Sequence, residues 1–167
     1  PDTMGGIEQS IFQLARSGHA HGIENKVLSL SHSKDGRVIQ MDGHQAYRAK
    51  TIFEIASTPF SFAVFKKFAL MAKEADVIHY QFPFPFMDVV HFATRHKKPT
   101  VVSYQSDIIR QKILLNFYAP LQNKFLASVD RIVTTSPNYL ATSEVLQEHS
   151  DKVKVIPIGL DQASYPE

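Results

Sequence analysis

Three times along this chain an apolar run of β-type residues ends in a polar side chain and gives way to a helical pattern. Asp76-Val77-Ile78-His79-Tyr80-Gln81, Thr100-Val101-Val102-Ser103-Tyr104-Gln105 and Asp130-Arg131-Ile132-Val133-Thr134-Thr135-Ser136 all do so. Runs separated by helices cannot pair as simple hairpins. They need crossover connections, and so a parallel sheet with helices on its faces. The spacing therefore predicts an α/β fold, a doubly wound and mainly parallel sheet, with these three strand ends side by side. Ligands of such sheets bind outside the carboxyl ends of the strands.

A length of 167 residues fits one domain with a sizeable core. Eighteen basic residues against sixteen acidic ones give a net charge of +2, too weak a bias to argue for nucleic acid. The absence of cysteine excludes disulfides and thiolate metal sites. No apolar run approaches the roughly 18 residues of a membrane span, and no signal-peptide pattern opens the sequence. The expected setting is the cytoplasm.

Gly5-Gly6 precedes a helical pattern with Ile7, Ile11, Leu14, Ala15 and Gly18 on one face and Gly22 as its stop. The glycine pair reads equally as a tight turn or as a backbone that lets an anion approach the helix amides. Residues 25–30 are strand-like. Residues 38–47 form one or two strands broken at Asp42-Gly43, a hairpin dipeptide, and residues 51–56 form a further strand. Residues 61–75 predict an amphipathic helix with Phe62, Phe65 and Phe68 inward and Lys66 and Lys67 on a solvated face. The alternating prolines of Phe82-Pro83-Phe84-Pro85-Phe86 predict a stiff extended loop before a helix over 87–96. Its phenylalanines either line a cleft or pack beneath that helix, the second being expected for at least two of them. A long helix follows Gln105, with a kink or break expected one turn before Pro120. Asp107 is a cap for that helix or a ligand group. Ser136, ahead of Pro137, is likewise a cap or a ligand hydroxyl. Residues 152–156 give the last strand. His19 and His21, two apart on a helix, point to different sides, so no zinc site is expected.

Three segments together resemble the amino-terminal half of retaining GT-B glycosyltransferases of family 4. They are Gly5-Gly6-Ile7-Glu8-Gln9, then Tyr104-Gln105-Ser106-Asp107-Ile108-Ile109-Arg110-Gln111-Lys112, then Ser136-Pro137-Asn138-Tyr139 through Val155-Ile156-Pro157-Ile158-Gly159-Leu160-Asp161. Asp76-Val77-Ile78-His79 adds a weaker match. The order and spacing of these motifs make the likeness specific.

The resemblance implies a Rossmann-like acceptor domain over residues 1–157, with 158–167 leading toward a carboxyl-terminal donor domain. It also implies a first strand ahead of Gly5, a slot that Pro1 to Met4 barely fill. The whole protein would be a hexosyltransferase moving a sugar from a nucleotide-sugar to a glycan or lipid-linked acceptor with retention, as in lipopolysaccharide or polysaccharide synthesis. It would use no metal and no cofactor and would touch the inner face of the membrane peripherally. By the same likeness Gly5 and Gly6 face the donor diphosphate, Gln105 stands at the catalytic position, and His79, Asp107, Arg110, Lys112 and Ser136 serve the acceptor. Gln105 replaces the family's usual histidine. An amide can hydrogen-bond a sugar hydroxyl but cannot act as acid or base, which implies altered activity or a different sugar preference. The family's paired glutamates belong to the second domain, so this chain alone is expected to be inactive. The alternatives are a non-catalytic sugar- or nucleotide-binding module and a GT-B sugar-nucleotide epimerase.

Overall fold

The computed structural model describes residues 5–31, 38–55, 58–107 and 112–159, with the side chains of 112–117 excepted. Two compact units emerge, one reaching to Val64 and one running from Phe65 to Pro157.

The first unit opens with α1 (Gly6–Ala20). At its end the amide of Ile23 donates to Gly18 and that of Gly22 to His19, with Gly22 at φ 81°. This is the left-handed glycine stop that the sequence predicts. Three strands, β1 (Asn25–Ser31), β2 (Val38–Met41) and β3 (His44–Lys50), form a sheet in the order β1-β3-β2. β1 runs parallel to β3, and β2 is antiparallel to it through the Asp42-Gly43 turn. Gly43 has φ 80°, and a Cβ there would stand 2.8 Å from the Arg16 Cα, so the turn excludes any side chain.

The strand expected over 51–56 is β4 (Phe53–Ile55), and it pairs antiparallel with β5 (Thr58–Phe60). The sequence reading missed β5 because Pro59 sits inside it. In a two-stranded ribbon the proline can face away from the ladder, and the Phe53–Phe60 stack at 5.1 Å holds the pair.

Helix α2 (Phe62–Glu74) leads into the second unit. There β6 (Ile78–Phe82), β7 (Thr100–Tyr104), β8 (Arg131–Thr134) and β9 (Val153–Val155) form a parallel sheet in that order. The connections carry α3 (Pro85–Thr94), α4 (Lys112–Ser128), and the short α5 (Pro137–Thr142) and α6 (Glu144–Glu148). This is the Rossmann-like α/β pattern expected from the strand–helix alternation. One sheet face carries Tyr80, Phe82, Val102, Tyr104, Ile132 and Thr134, all buried, with Phe125 and Leu126 of α4 and Leu146 of α6 in the same core. Each large apolar side chain there contributes about 1.5–3 kcal/mol on burial. Strand alternation puts His79, Gln81, Val101 and Ser103 on the opposite face, which is half-buried to exposed.

Two local expectations need correction. Helix α3 starts at Pro85, two residues before the predicted start, because a proline at the first helical position lacks only an amide that would be unpaired anyway. Only Pro83 and Phe84 remain between β6 and α3 of the expected extended loop. Helix α4 continues through Pro120 without a break. Pro120 is exposed, and the carbonyl that loses its partner can turn toward water. The phenylalanines behave as core: Phe82 stacks on Tyr104 at 4.6 Å, and buried Phe86 meets Phe65 edge-on at 5.6 Å. The first strand expected ahead of Gly5 lies outside the described residues.

Candidate functional site

Parallel pairing places the carboxyl ends of β6, β7 and β8 next to one another, as expected. Phe82 is in register with Tyr104, and Tyr104 with Thr134. Past the strand ends, the Gln105 amide still donates to the Phe82 carbonyl at 3.1 Å, which fixes the backbone where the polar residues begin.

Tyr104 is fully buried, and a buried phenol needs a partner for its hydroxyl. It donates to Asp107 Oδ1 at 2.7 Å. Ser143 donates to the same oxygen at 2.9 Å while its own Oγ accepts from the Leu146 amide, capping α6. Both of these bonds go to Oδ1, which leaves Oδ2 on the side that the Tyr139 hydroxyl approaches. Burial, followed by the hydrogen bond and charge of Asp107, pushes the Tyr104 pKa far above its ordinary value, so the phenol remains a donor. Tyr139 lies beside this pair, its ring 6.1 Å from that of Tyr104. Burial and then the Asp107 charge raise its pKa too. Yet its hydroxyl is buried with no hydrogen-bond partner of good geometry among the described residues. A buried unpaired hydroxyl next to a carboxylate with an open oxygen is a place that needs a water or a ligand.

On the other sheet face, Gln105 Nε2 donates to Gln81 Oε1 at 2.7 Å. One step back along both strands, His79 Nε2 lies 2.8 Å from Ser103 Oγ. The His79 ring keeps an exposed edge, but packing against the sheet desolvates it and lowers its pKa. It is therefore neutral near pH 7.

The structure thus gathers Gln105, Asp107 and Ser136 at adjacent strand ends of one unit, whereas His79, the second residue of β6, lies back toward that strand's amino end. Ser136 accepts from the Tyr139 amide at 3.1 Å and caps α5, with Pro137 next. Its cap role is realised, and its hydroxyl proton is left for another partner. Gly5 and Gly6 belong to the first unit. Gly5 is the extended N-cap of α1 without a side-chain cap, and the Glu8 carboxylate lies across it, 2.6 Å from where a Cβ would be. Lys112 opens the described part of α4, while Arg110 and any cap bond from Asp107 to residues 108–111 fall outside the described residues. Sequence reasoning did not single out Gln81, Tyr104 or Ser143 as site residues. A buried tyrosine three residues before an aspartate was a usable signal. Ser143, 36 residues from Asp107, offered none.

Among the described residues no group of three or more histidines and carboxylates could hold a metal ion, and no helix is long and apolar enough to cross a membrane. A groove in the first unit, lined by His19, Glu24, Asn25, Gln40, His44 and Gln45, contains none of the predicted site residues.

A parallel α/β sheet with polar side chains gathered at its strand ends defines a Rossmann-like binding domain of the kind found in GT-B enzymes. A sequence model of Glycosyltransferase Family 4 matches residues 4–164, and the chain belongs to that family. It is 53% identical over 165 residues to the D-rhamnosyltransferase WbpZ of Pseudomonas aeruginosa, covering 99% of this chain and 43% of that protein. It is 48% identical over 162 residues to the O-antigen chain mannosyltransferase C of Escherichia coli, covering 97% of this chain and 44% of that protein. The chain thus spans less than half the length of the curated relatives it matches.

Proposed function

We propose that the full-length protein is a hexosyltransferase that moves a sugar from a nucleotide-sugar to a glycan or lipid-linked acceptor, with retention, in the assembly of a cell-surface polysaccharide. Family membership and the two relatives, named for D-rhamnose and mannose transfer, support the reaction class. The observation that carries the reading within this chain is Asp107. Tyr104 and Ser143 fix one of its oxygens, and the other stands near the Tyr139 hydroxyl, which makes no hydrogen bond of good geometry among the described residues.

In this reading Asp107 accepts a hydrogen bond from an acceptor hydroxyl, with Ser136 as a flanking polar contact, and His79 serves the acceptor from the face that carries Gln81 and Gln105. Arg110 and Lys112 meet an anionic group of the acceptor. Gln105 hydrogen-bonds a sugar hydroxyl near the reacting carbon and moves no proton. The start of α1, with Gly5 and Gly6, offers amides to the donor diphosphate, which can stabilise a leaving phosphate without a metal or other cofactor. Glu8 must swing aside for that contact. The donor domain is a separate part of the protein, and the reaction runs on the cytoplasmic side at the membrane surface. Holding both reactants is worth about 7–11 kcal/mol of barrier, so this chain alone does not turn over.

The test is a transfer assay with the full-length protein on nucleotide-activated D-rhamnose, mannose and other hexoses, with product stereochemistry read by NMR. Transfer with retention is expected. A folded protein that binds sugars but transfers none would make it a non-catalytic binding module. Interconversion of free nucleotide-sugars would make it an epimerase.

A further inference from the structure

The Gln81–Gln105 contact has a chemical remainder. Both residues point to the same sheet face: Gln81 is in register with Ser103, and Gln105 lies two residues further on. The single bond between them, 2.7 Å from Gln105 Nε2 to Gln81 Oε1, uses one N–H of the first amide and the carbonyl of the second. The Gln105 carbonyl and the Gln81 NH2 are left without partners among the described residues. Turning both amides over gives the same display, one carbonyl beside one NH2, so the result does not depend on which nitrogen is placed where. Both side chains are half-buried, so neither is freely rotating in water nor sealed in the core. The mutual bond also fixes their relative orientation.

One acceptor and one donor held side by side match two neighbouring hydroxyls. The first hydroxyl donates to the carbonyl while the second accepts from the NH2. A histidine in place of Gln105 would bring one ring nitrogen and no such pair. We propose that the Gln81–Gln105 amide pair reads a vicinal diol of a substrate sugar and that Gln81 is a specificity-determining residue. This rests on the sugar-transfer reading above and adds which chemical feature of the sugar is recognised and by what. The diol belongs either to the donor hexose or to the terminal sugar of the acceptor.

The experiment uses the full-length protein with parent sugars and their monodeoxy analogues, in one series as donors and in another as acceptors. Sites that hydrogen-bond a hydroxyl discriminate strongly against analogues lacking it. For this half-open pair the expected loss of kcat/KM is about 10–100-fold for one deoxy analogue in one of the two series, and that series identifies the source of the diol. Gln81→Glu keeps an oxygen to accept from Gln105 and so preserves the contact, but it replaces the outward donor with an acceptor. It should lose about 10-fold or more on the parent sugar and show little further penalty with the deoxy analogue. Gln81→Ala should behave alike, with melting curves confirming its fold. Equal loss across all analogues in both variants, or an unchanged deoxy penalty, overturns the proposal. Should wild type transfer no sugar, the reaction reading fails and this one is still decided by saturation-transfer NMR with methyl hexosides. Loss of ring-proton contacts in Gln81→Glu supports it, and identical spectra overturn it.

Discussion

Between α3 and α4, Tyr80, His91, His96 and Ser128 form one hydrogen-bonded cluster; at the strand ends there are two separate groups, Tyr104, Asp107 and Ser143 on one sheet face and the Gln81–Gln105 pair on the other. The inner cluster closes on itself. Ser128 donates to the Phe125 carbonyl at 2.7 Å, so its oxygen accepts from His91 Nε2–H at 3.1 Å. That leaves His91 Nδ1 as the acceptor, 3.0 Å from the Tyr80 hydroxyl and 3.1 Å from His96 Nε2. Only His96 Nδ1 is buried and unpaired. The strand-end groups instead leave a carboxylate oxygen, an amide carbonyl and an NH2 outside the hydrogen bonds they make with one another. Residues of the same chemical types therefore serve two ends. A network that uses most of its capacity internally specifies the packing, while one with more capacity left over is suited to recognition.

The largest expected effect would break the two clusters apart functionally. Asp107→Ala in the full-length protein should lower kcat/KM for transfer about 100-fold, the scale of a lost hydrogen bond to a charged group. His91→Gln should leave kinetics within a few-fold of wild type. Kinetics of both variants side by side test this, and an unchanged rate in Asp107→Ala would remove that residue from the site.

The next two predictions contrast buried groups through pH. Asp88 is buried on α3 and accepts a hydrogen bond from Tyr118. Burial, only partly opposed by that bond, raises its pKa to about 7. A raised carboxyl contributes stability that is full below the unfolded value and is lost as pH rises through about 7. Wild type should thus lose about 2 kcal/mol relative to Asp88→Asn between pH 5 and pH 8, read by urea denaturation. His91 shows the opposite trend. Burial and then the neighbouring His96 lower its pKa to about 4. Its contribution is present above the unfolded value near 6.5 and is lost as pH falls toward 4. Because the ring is half-exposed, the expected loss is only about 1 kcal/mol. The stability difference between wild type and His91→Gln should shrink as pH drops from 7 to 5. A difference independent of pH would mean that His91 is not held neutral.

Much of this was legible where the signal is local. The Gly22 helix stop, the Asp42-Gly43 hairpin, the Ser136-Pro137 start and the parallel run of β6, β7 and β8 each follow from residues within a few positions of one another. So did the placement of Gln105, Asp107 and Ser136 at strand ends. What escaped the sequence reading needed a distant partner or depended on exposure. Proline reads as a breaker in Pro59, Pro85 and Pro120 alike, yet each stands within a regular element, with Pro85 at the helix start and Pro120 on an exposed face. Gln81 meets Gln105 across 24 residues and Ser143 meets Asp107 across 36, distances over which no local pattern operates. The same holds for the Tyr80–His91–His96 contacts, which exist only once β6 and α3 have packed.

The smallest effect sharpens the comparison at Ser136, which has a foot in each role. Its Oγ accepts from the Tyr139 amide, as a cap should, and removing such a cap costs about 1 kcal/mol. Its hydroxyl proton is not needed for that bond and is left for a second partner. Ser136→Ala should therefore lower stability by about 1 kcal/mol and raise the acceptor KM of the full-length enzyme a few-fold. Ser136→Asp keeps an oxygen for the Tyr139 amide and adds a negative charge at the start of α5, both favourable to the helix. It should restore stability to wild type. It has no proton to donate, however, so the acceptor KM should stay raised. Melting curves and acceptor titrations on the same three proteins separate the roles. If Ser136→Asp recovers both stability and KM, then Ser136 is a cap alone, belongs with the self-contained networks of the fold, and leaves acceptor recognition to Asp107 and the glutamine pair.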